Sequence, residues 1–312
     1  MDTIDLTDPT FSDEAKARAH FEATRWPNGP VCPHCGSVDR VYRLKDSDAH
    51  RPGLIHCNNC DGSFTVTTGT VMESSHVPLN KWALAFRIMG SAKKGFSAHQ
   101  LHRSIGVTYR TAWFMFHRIR EAMRNANPEP LGGNGKIVEA DEVYVGGKPR
   151  KGGPRRKTKM TNKTPVAVLV ERGGNARATV MDWPLDGAIK RNLVANVAKG
   201  THVHSDEHRA YKGIERLIDG MQSGVRHFDG EYAKDGVHNN TAESWNALLK
   251  RGIYGSFHHV SPEHLSRYCD EFVFRWDRRA LSDAERTVEA IKGAEGKRLT
   301  YRQPRGAQQS EA

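Results

Sequence analysis

Three acidic residues that lie far apart in the chain have neighbours that could bring them to one site. Asp141 lies within a largely apolar run at residues 137–145, and Asp206 directly follows a predicted strand at residues 202–205. The apolar run predicts a buried central strand, and the two strands side by side would place the carboxylates together. Glu243 lies on a predicted helix and is the third candidate. The cluster predicts metal-dependent chemistry on a phosphodiester.

Carboxylates that share one site repel each other, and this cost indicates what they could hold. Two like charges 4 Å apart repel by about 4 kcal/mol at the effective dielectric of a partly buried site. Mg²⁺ prefers oxygen ligands and offsets this repulsion, and two such ions can support phosphodiester cleavage. Taken singly, each acid could be a solvated loop or cap residue. The three together favour a phosphoryl-transfer centre.

The predicted helix that carries Glu243 has one polar and one apolar face. Asn240, Glu243 and Lys250 share the polar face, because they are spaced by i, i+3 and i+10. Trp245 and Leu249 lie on the opposite face, where they would pack against a core. Glu243 and Lys250 therefore point the same way. By itself, Lys250 could equally belong to a solvated helix face.

Four of the five cysteines form two C-x2-C pairs. The predicted ligands are Cys32, Cys35, Cys57 and Cys60. Two such pairs on adjacent hairpins can aim four thiolates at one Zn²⁺, whose binding supplies the folding energy that a small segment lacks. Ordinary buried cysteines or two disulfides are the alternative. Residues 26–73 therefore predict a structural zinc ribbon, whereas Cys269 is predicted to fill a core.

The charge balance indicates the kind of partner. The chain has 312 residues, with 47 Lys and Arg against 36 Asp and Glu, a formal net charge of +11. Such a basic chain is drawn to phosphate backbones, so nucleic acid is the expected partner. The sequence has neither a secretory signal nor a long apolar run, so we expect a cytoplasmic protein. We expect no membrane partner and no small-molecule substrate.

Residues 79–127 predict three helices with the order of a helix-turn-helix domain. Gly106 would end the second helix, and Thr108 would cap the third. In that geometry Arg118 and Arg120 could reach phosphate. The residues at the front of the recognition helix would contact bases: Thr108, Tyr109, Arg110 and Thr111. A plain three-helix packing unit is the alternative.

Residues 132–280 predict an α/β domain with a mixed sheet. The apolar run at 137–145 predicts a central strand, and residues 165–172 and 176–183 predict a hairpin. Asp186 would cap a helix that buries Ile189, Leu193, Val194 and Val197. Strands that are followed by a helix, another strand and further helices predict crossover connections.

The remaining segments predict less structure. Residues 1–25 predict a helical leader with an apolar face. Residues 69–78 are rich in Thr, Ser and Pro and predict a linker. Residues 281–312 predict a basic, disordered tail.

Two further features could contact DNA. A basic, glycine-rich segment beside the first acid would clamp DNA through Lys148, Arg150, Lys151, Arg155, Arg156 and Lys157, or else serve only solubility. His258 and His259 are expected to contact DNA or the ligands of the acidic site, because that site needs no imidazole ligand.

Several motifs together resemble the transposases of IS1595-type insertion sequences, and most closely their ISXO2-like group. They are the segment His238 to Gly255 with the following His-His-Val-Ser-Pro, the stretch from Arg275 to Arg279, Glu-Ala-Asp-Glu at 139–142, Ser-Asp-Glu at 205–207 with Tyr211, and the Trp-Pro and cysteine pattern from Trp26 to Gly36. The resemblance covers nearly the whole chain except its last thirty or so residues.

The resemblance implies a ribonuclease H-like catalytic domain with a DDE-type triad. It makes Asp141 the first acid and Asp206 the second. Members of this group have Asn or Glu as the third residue, and this chain offers both. Glu243 is favoured because its spacing to Lys250 matches a Glu-x6-Lys pattern and a carboxylate binds Mg²⁺ better than an amide. Asn240 would then be an auxiliary ligand or a substrate contact.

The resemblance also implies the reaction, the partners and a prokaryotic, nucleoid-associated location. The site would cleave double-stranded DNA at the inverted-repeat ends to free 3′ hydroxyls and then join these to target DNA, with Mg²⁺ or Mn²⁺ as catalytic metal and Zn²⁺ as structural metal. Lys250 and Arg251 would hold phosphates. The ribbon and the helix-turn-helix would recognise the ends, and a homo-oligomer would pair them. Zinc removal should cost end binding before it costs the chemistry.

Two other classes of protein stay open. One is a regulator that binds DNA through the ribbon and the helix-turn-helix and has no catalytic activity. The other is a structure-specific nuclease on the same type of sheet. Metal-dependent nicking separates the regulator from an enzyme, and joining of the freed 3′ end separates the nuclease from a transposase.

Overall fold

The chain divides into two compact units. The computed structural model describes residues 5–47, 50–147, 163–182, 185–206, 209–224 and 237–300. A terminal unit comprises Met1–Ala92, Phe96–Arg124 and Leu281–Ala312, and a central unit comprises Lys93–Gly95 and Asn125–Ala280. The central unit is therefore inserted into the terminal one. In the described parts of the chain, no helix is both long and apolar enough to cross a membrane.

The terminal unit begins with a helix, a small sheet and three further helices. These elements are α1 (Glu14–Arg25), β1 (Val41–Arg43), β2 (Ile55–Cys57), β3 (Gly62–Phe64), α2 (Leu79–Ser91), α3 (Ala98–Ile105) and α4 (Tyr109–Met123). The strands form an antiparallel sheet in the order β1-β2-β3. Phe21 of α1 is buried edge-on against Phe86 of α2, as expected for the apolar face of an amphipathic helix.

The turn between α3 and α4 forms as its residues predict. Gly106 ends α3 in the left-handed conformation, at φ 62°. The Thr108 hydroxyl then accepts a hydrogen bond from the Thr111 amide at 3.2 Å and caps α4. The three predicted helices are therefore confirmed, whereas their use as a DNA-binding helix-turn-helix stays a prediction. Arg120 does not reach out for phosphate, because it is buried at 2% exposure.

The central unit is built on a five-stranded mixed sheet. Its elements are β4 (Leu131–Gly132), β5 (Ile137–Gly146), β6 (Lys163–Glu171), β7 (Ala176–Val180), α5 (Leu185–Asn196), β8 (Val197–Ala198), β9 (His202–Ser205), β10 (Met221–Gly224), α6 (Asn240–Gly252) and α7 (Pro262–Asp277). The sheet order is β10-β9-β5-β6-β7, and β4 pairs separately with β8. β5 is antiparallel to β6 and parallel to β9, so the predicted central strand and mixed sheet are confirmed.

Each face of this sheet has its own core. Val138 and Ala140 of β5 face a core that includes Ile189 and Leu193 of α5. Val143 and Val145 face the other core, which α6 and α7 complete with their large apolar side chains: Trp245, Leu249, Leu265 and Phe272. Burial on both faces explains why the apolar residues of β5 occupy both faces of the strand rather than one.

Three expectations need correction here. Asp186 lies in the first turn of α5, which begins at Leu185, and Val194 is 51% exposed rather than buried. The segment 69–78 is packed rather than a free linker, because Val71 and Met72 are buried and the Val71 amide donates to the Ala294 carbonyl at 3.2 Å. The Thr- and Ser-rich composition of this segment predicted a linker because it gave little weight to the two buried apolar residues.

The chain returns to the terminal unit in a helix that the sequence did not predict. α8 (Asp283–Lys292) begins at a capping box between Ser282 and Glu285 and packs against α2. The expectation of disorder for residues 281–312 is therefore wrong for this stretch. Its few apolar residues gave little signal, but Ala290 and Ile291 are buried. Residues 301–312 lie outside the described part of the chain.

A glycine in α2 permits the close approach of α8 and gives a test of this packing. A Cβ at Gly90 would lie 2.4 Å from Thr287 Oγ1 and 3.2 Å from the Thr287 backbone. An exposed Gly→Ala change in a helix normally stabilises. Here we expect Gly90→Ala to destabilise by about 1–3 kcal/mol, since the helix backbones must separate. Urea unfolding measures the change, with Gly255→Ala as a control in open space. An unchanged or raised stability would contradict this packing.

Candidate active site

Three carboxylates converge where β9 ends beside β5. One oxygen from each of Asp141, Glu142 and Asp206 lies within 4.8 Å of the others. Among the described residues, β9 pairs with β5 as far as His204 opposite Glu139, so β5 continues beyond the end of β9. The chain leaves β9 at Asp206, beside the part of β5 that extends past this pairing. The predicted meeting of Asp141 and Asp206 is therefore present, together with a third acid that the sequence reasoning missed.

Asp141 faces α6 and is held by two donors. Asn246 Nδ2 donates to one carboxylate oxygen at 2.7 Å, and the Glu142 amide donates to the other at 2.8 Å. Burial raises the pKa of Asp141 to about 6, and the charges of Asp206 and Glu243 add to the rise. A cation at this position would favour the ionised form.

Glu142 turns to the opposite face of the sheet. Its carboxylate accepts a hydrogen bond from the hydroxyl of Tyr211, which is buried in a 3-10 turn after β9 (Arg209–Tyr211). Burial raises the pKa of Glu142 to about 7, and the charges of Asp206 and Asp141 contribute. Asp141 and Glu142 thus approach Asp206 from the two faces of the sheet, as the alternation of side chains requires.

The donor set of this cluster fits a hard divalent cation. All three candidate ligands are carboxylates, and two of them carry raised pKa values because they are buried near other negative charges. Mg²⁺ or Mn²⁺ prefers such oxygen donors and would relieve the repulsion. Asn246 and Tyr211 orient two of the carboxylates through hydrogen bonds. Both donors are uncharged, so neither takes the place of the metal ion.

The raised pKa of Glu142 gives a stability prediction with a defined sign. The folded pKa of about 7 lies above the unfolded value of 4.5, so the ionised carboxylate destabilises the fold at high pH, and this penalty disappears as pH falls from 7 towards 4.5. In EDTA at pH 7.5, Glu142→Gln is expected to raise the melting temperature by a few degrees, and the gain should vanish near pH 5. Differential scanning calorimetry measures both values.

Glu171→Gln is the matched control for this pH effect. Lys136 and the Gly132 amide lower the pKa of Glu171 against the effect of its burial. Its replacement should therefore lower the melting temperature at pH 7.5. A Glu142→Gln effect that stays constant across this pH range would contradict the assigned environment.

The four paired cysteines form a second cluster in the terminal unit. Their sulfur atoms lie within 4.8 Å of one another, and Cys32–Cys60 and Cys35–Cys57 are each separated by 3.7 Å. Tetrahedral zinc with Zn–S bonds of 2.3 Å requires sulfur separations of about 3.8 Å. The cysteines are free thiols, so the disulfide alternative is wrong. The cluster fits structural Zn²⁺.

Comparison with known proteins assigns the family. Residues 130–277 match the family model of the ISXO2-like transposase domain, and residues 12–63 match that of the transposase zinc-ribbon domain. A protein of Halobacterium salinarum, described as an uncharacterized protein in transposable element ISH50, is 31% identical over 294 residues, which cover 89% of this chain and 97% of that protein. The chain belongs to the IS1595 transposase family.

A solved structure gives only a distant comparison. The Drosophila P element transposase strand transfer complex aligns with 66% of this IS1595 transposase and 60% of its own chain, at 10% identity and a TM-score of 0.26. This likeness is too low to carry an argument about fold or activity.

α6 places the remaining predicted site residues of the transposase. Glu243 lies exposed in the first turn, near enough to Asp141 for its charge to add to the rise in the pKa of Asp141 that burial causes. Asn240 and Lys250 are exposed at the two ends of the helix. Glu243 does not belong to the three-carboxylate cluster itself. The role of each of these residues stays a prediction.

Two residues of the site escaped the sequence reasoning. Alternation along β5 places Glu142 on the face opposite Asp141, but both reach Asp206 because β5 extends past its described pairing with β9. Asn246 is buried among apolar residues of α6. A polar residue on the apolar face of a predicted helix was the available signal, since such a residue needs a buried partner.

The predicted DNA contacts are only partly visible. Thr108, Tyr109 and Arg110 are exposed at the start of α4, and the Tyr109 ring stacks on His99 with centroids 4.2 Å apart. Arg251, His258 and His259 are exposed at and after the end of α6, whereas Cys269 is buried, as predicted for a core residue. The predicted clamp residues lie outside the described part of the chain: Lys148, Arg150, Lys151, Arg155, Arg156 and Lys157.

Proposed function

We propose that this transposase cleaves DNA at the ends of its insertion sequence and joins the freed 3′ ends to target DNA at the Asp141–Asp206 cluster. The observation that carries the proposal is the meeting of Asp141, Glu142 and Asp206 within 4.8 Å at the end of β9. The strand order and directions of the sheet support a ribonuclease H-like fold. β5, the first of its strands along the chain, is central; β6 and β7 follow in antiparallel order on one side, and β9 and β10 add parallel strands on the other.

The metal ligands we propose come from two strands and one helix. Asp141 and Asp206 supply the first two carboxylates of a DDE-type centre, and Glu243 the third. Glu243 is favoured over Asn240 because a carboxylate binds Mg²⁺ better than an amide, and its charge reaches Asp141. Glu142 is a further ligand of the same cluster. When bound here, Mg²⁺ or Mn²⁺ would lower the pKa of an attacking water or 3′ hydroxyl and stabilise the leaving oxygen.

The chain's own residues orient these groups and hold the DNA. Asn246 fixes the carboxylate of Asp141 through a 2.7 Å hydrogen bond, and Tyr211 fixes that of Glu142. Lys250 and Arg251 lie in the last turn of α6, where their exposed cations would bind phosphates. Cleavage and joining are both in-line transfers at phosphorus, so one arrangement of ligands and cations serves both steps.

Recognition of the DNA ends belongs to the terminal unit in this proposal. The zinc ribbon and the start of α4 would bind the inverted repeats. The exposed Tyr109 and Arg110 would contact base edges, while Thr111 stays partly occupied by its hydrogen bond to Thr108. Two ends must be paired before joining, so the active form would be a homo-oligomer on DNA.

A strand-transfer assay with labelled inverted-repeat duplexes and a supercoiled target plasmid tests the proposal. We expect Mg²⁺-dependent nicking at the repeat boundary and joined products on the plasmid. Nicking without joining would instead support a structure-specific nuclease. Binding without nicking in Mg²⁺ or Mn²⁺ would support a regulator and overturn the proposal.

A further inference from the structure

A buried carboxylate lies on β5 two residues before Asp141. Glu139 is 0% exposed and accepts four hydrogen bonds. The donors are Thr241 N at 2.7 Å, Ala242 N at 3.1 Å, Thr241 Oγ1 at 3.1 Å and Arg172 Nε at 2.6 Å. The His238 ring nitrogen Nδ1 lies 3.3 Å from the same carboxylate without a hydrogen bond to it. Such a charge is costly to bury, so its contacts must be strong enough to repay its desolvation.

Most of these contacts fall on the start of α6. The first amides of a helix have no partner within the helix and are usually satisfied by the N-cap side chain. In the described part of the chain, the N-cap residue Asn239 does not cap its own helix. Its Nδ2 donates instead to the Ala140 carbonyl at 3.2 Å. Glu139 Oε2 accepts the amides of Thr241 and Ala242 in its place.

The cap of α6 is therefore supplied by the catalytic strand. Glu139 and Asp141 are two positions apart on β5, so they point to the same face, towards α6. The helix that Glu139 caps carries Asn246, which donates to Asp141, and Glu243, whose charge acts on Asp141. A shift of the helix start would move both residues relative to the first acid.

We propose that Glu139 is a positioning residue of the acidic centre, which sets Glu243 and Asn246 against Asp141 by capping α6 from β5. The inference rests on the proposed function and deepens it. Arg172 supports the same arrangement, because its Nη2 donates to the His238 carbonyl at 3.1 Å and lies 3.0 Å from His204 Nδ1. The cluster thus holds the chain immediately before α6 as well as its first turn.

Glu139→Gln tests this role with a minimal change in shape. The glutamine amide nitrogen would face at least one donor, either the helix amides or Arg172, so the α6 cap is weakened. Mn²⁺ binding, measured by calorimetry or electron paramagnetic resonance, is expected to weaken about 10- to 100-fold, as for loss of a group that orients metal ligands. The rate of cleavage should fall about 100-fold at saturating DNA and metal, with DNA-end affinity unchanged.

Glu171→Gln is the matched control. Glu171 also accepts a backbone amide and a cation in the same sheet, from Gly132 and Lys136, but its contacts lie away from α6. This variant should bind Mn²⁺ like the wild type. If Glu139→Gln does not fold, Thr241→Val removes only the hydroxyl donor to Glu139 and should weaken Mn²⁺ binding by a few-fold.

A double-mutant cycle separates positioning from general stabilisation. If Glu139 acts through Glu243, then Glu139→Gln should weaken Mn²⁺ binding far less in a Glu243→Gln background than in the wild type. Independent, multiplicative effects would overturn the inference, as would wild-type Mn²⁺ affinity and rate in folded Glu139→Gln. Failure of the proposed function looks different, because Asp141→Asn would then leave cleavage intact.

Discussion

Asp141→Asn is expected to reduce strand cleavage and joining by about 10³-fold or more while binding of DNA ends is retained. Several groups of the site act on Asp141. Asn246 of α6 donates a hydrogen bond to its carboxylate, and burial together with the charges of Asp206 and Glu243 raises its pKa. An asparagine keeps the size but removes the negative charge and one metal-binding oxygen. Removal of one member of a group that acts as a unit costs nearly as much as removal of the whole.

Asp219→Asn is the matched control for this loss. Asp219 is an exposed acid of the central unit and pairs with Lys199 at 2.9 Å. Its positive φ of 48° suits asparagine equally well. Gel assays of nicking and joining, with anisotropy for DNA binding, should show wild-type behaviour for Asp219→Asn. Unimpaired joining by folded Asp141→Asn would place the chemistry elsewhere.

Elements with strong patterns could be predicted from the sequence. β5 has apolar residues on both of its faces. Gly106 ends one helix through its left-handed conformation, and the Thr108 side chain caps the next. The paired cysteines likewise need no tertiary information. In each case the signal lies within a few adjacent residues.

Elements that depend on distant partners could not be predicted. β10 has the polar sequence Met-Gln-Ser-Gly and forms only because the edge of β9 offers parallel partners. α8 is stabilised by α2, nearly two hundred residues upstream in the chain. The local composition of each segment indicates neither the pairing of β10 with β9 nor the packing of α8 on α2, so neither element is predictable from its own residues.

The residues of the acidic site also differ in whether local sequence predicts them. Asp141 and Asp206 follow from strand patterns, because a parallel neighbour brings their strand positions together. The role of Glu142 depends on how far β9 pairs with β5, and that of Glu139 depends on where α6 begins. The same strand thus carries a capping acid for α6 and two acids of the cluster, within four consecutive residues.

Replacing Cys57 with serine is expected to remove zinc and specific binding of DNA ends while the acidic site still binds metal. Cys57 is fully buried at the end of β2, 3.7 Å from Cys35 Sγ. The ribbon strands have three residues each, too few to fold without the metal. Loss of the ribbon should weaken end binding by about 10²-fold or more, towards the non-specific level.

Cys269→Ala gives the control that makes this outcome specific. Cys269 is as fully buried as Cys57 but lies on the core-facing side of α7, outside the zinc cluster. This variant should lose stability but keep one zinc per chain by elemental analysis and wild-type affinity for the repeats. Because the four cysteines and the acids lie in different units, Cys57→Ser should retain Mn²⁺ binding at the acidic site. Loss of zinc without loss of end binding would instead assign recognition of the repeats to α4 alone.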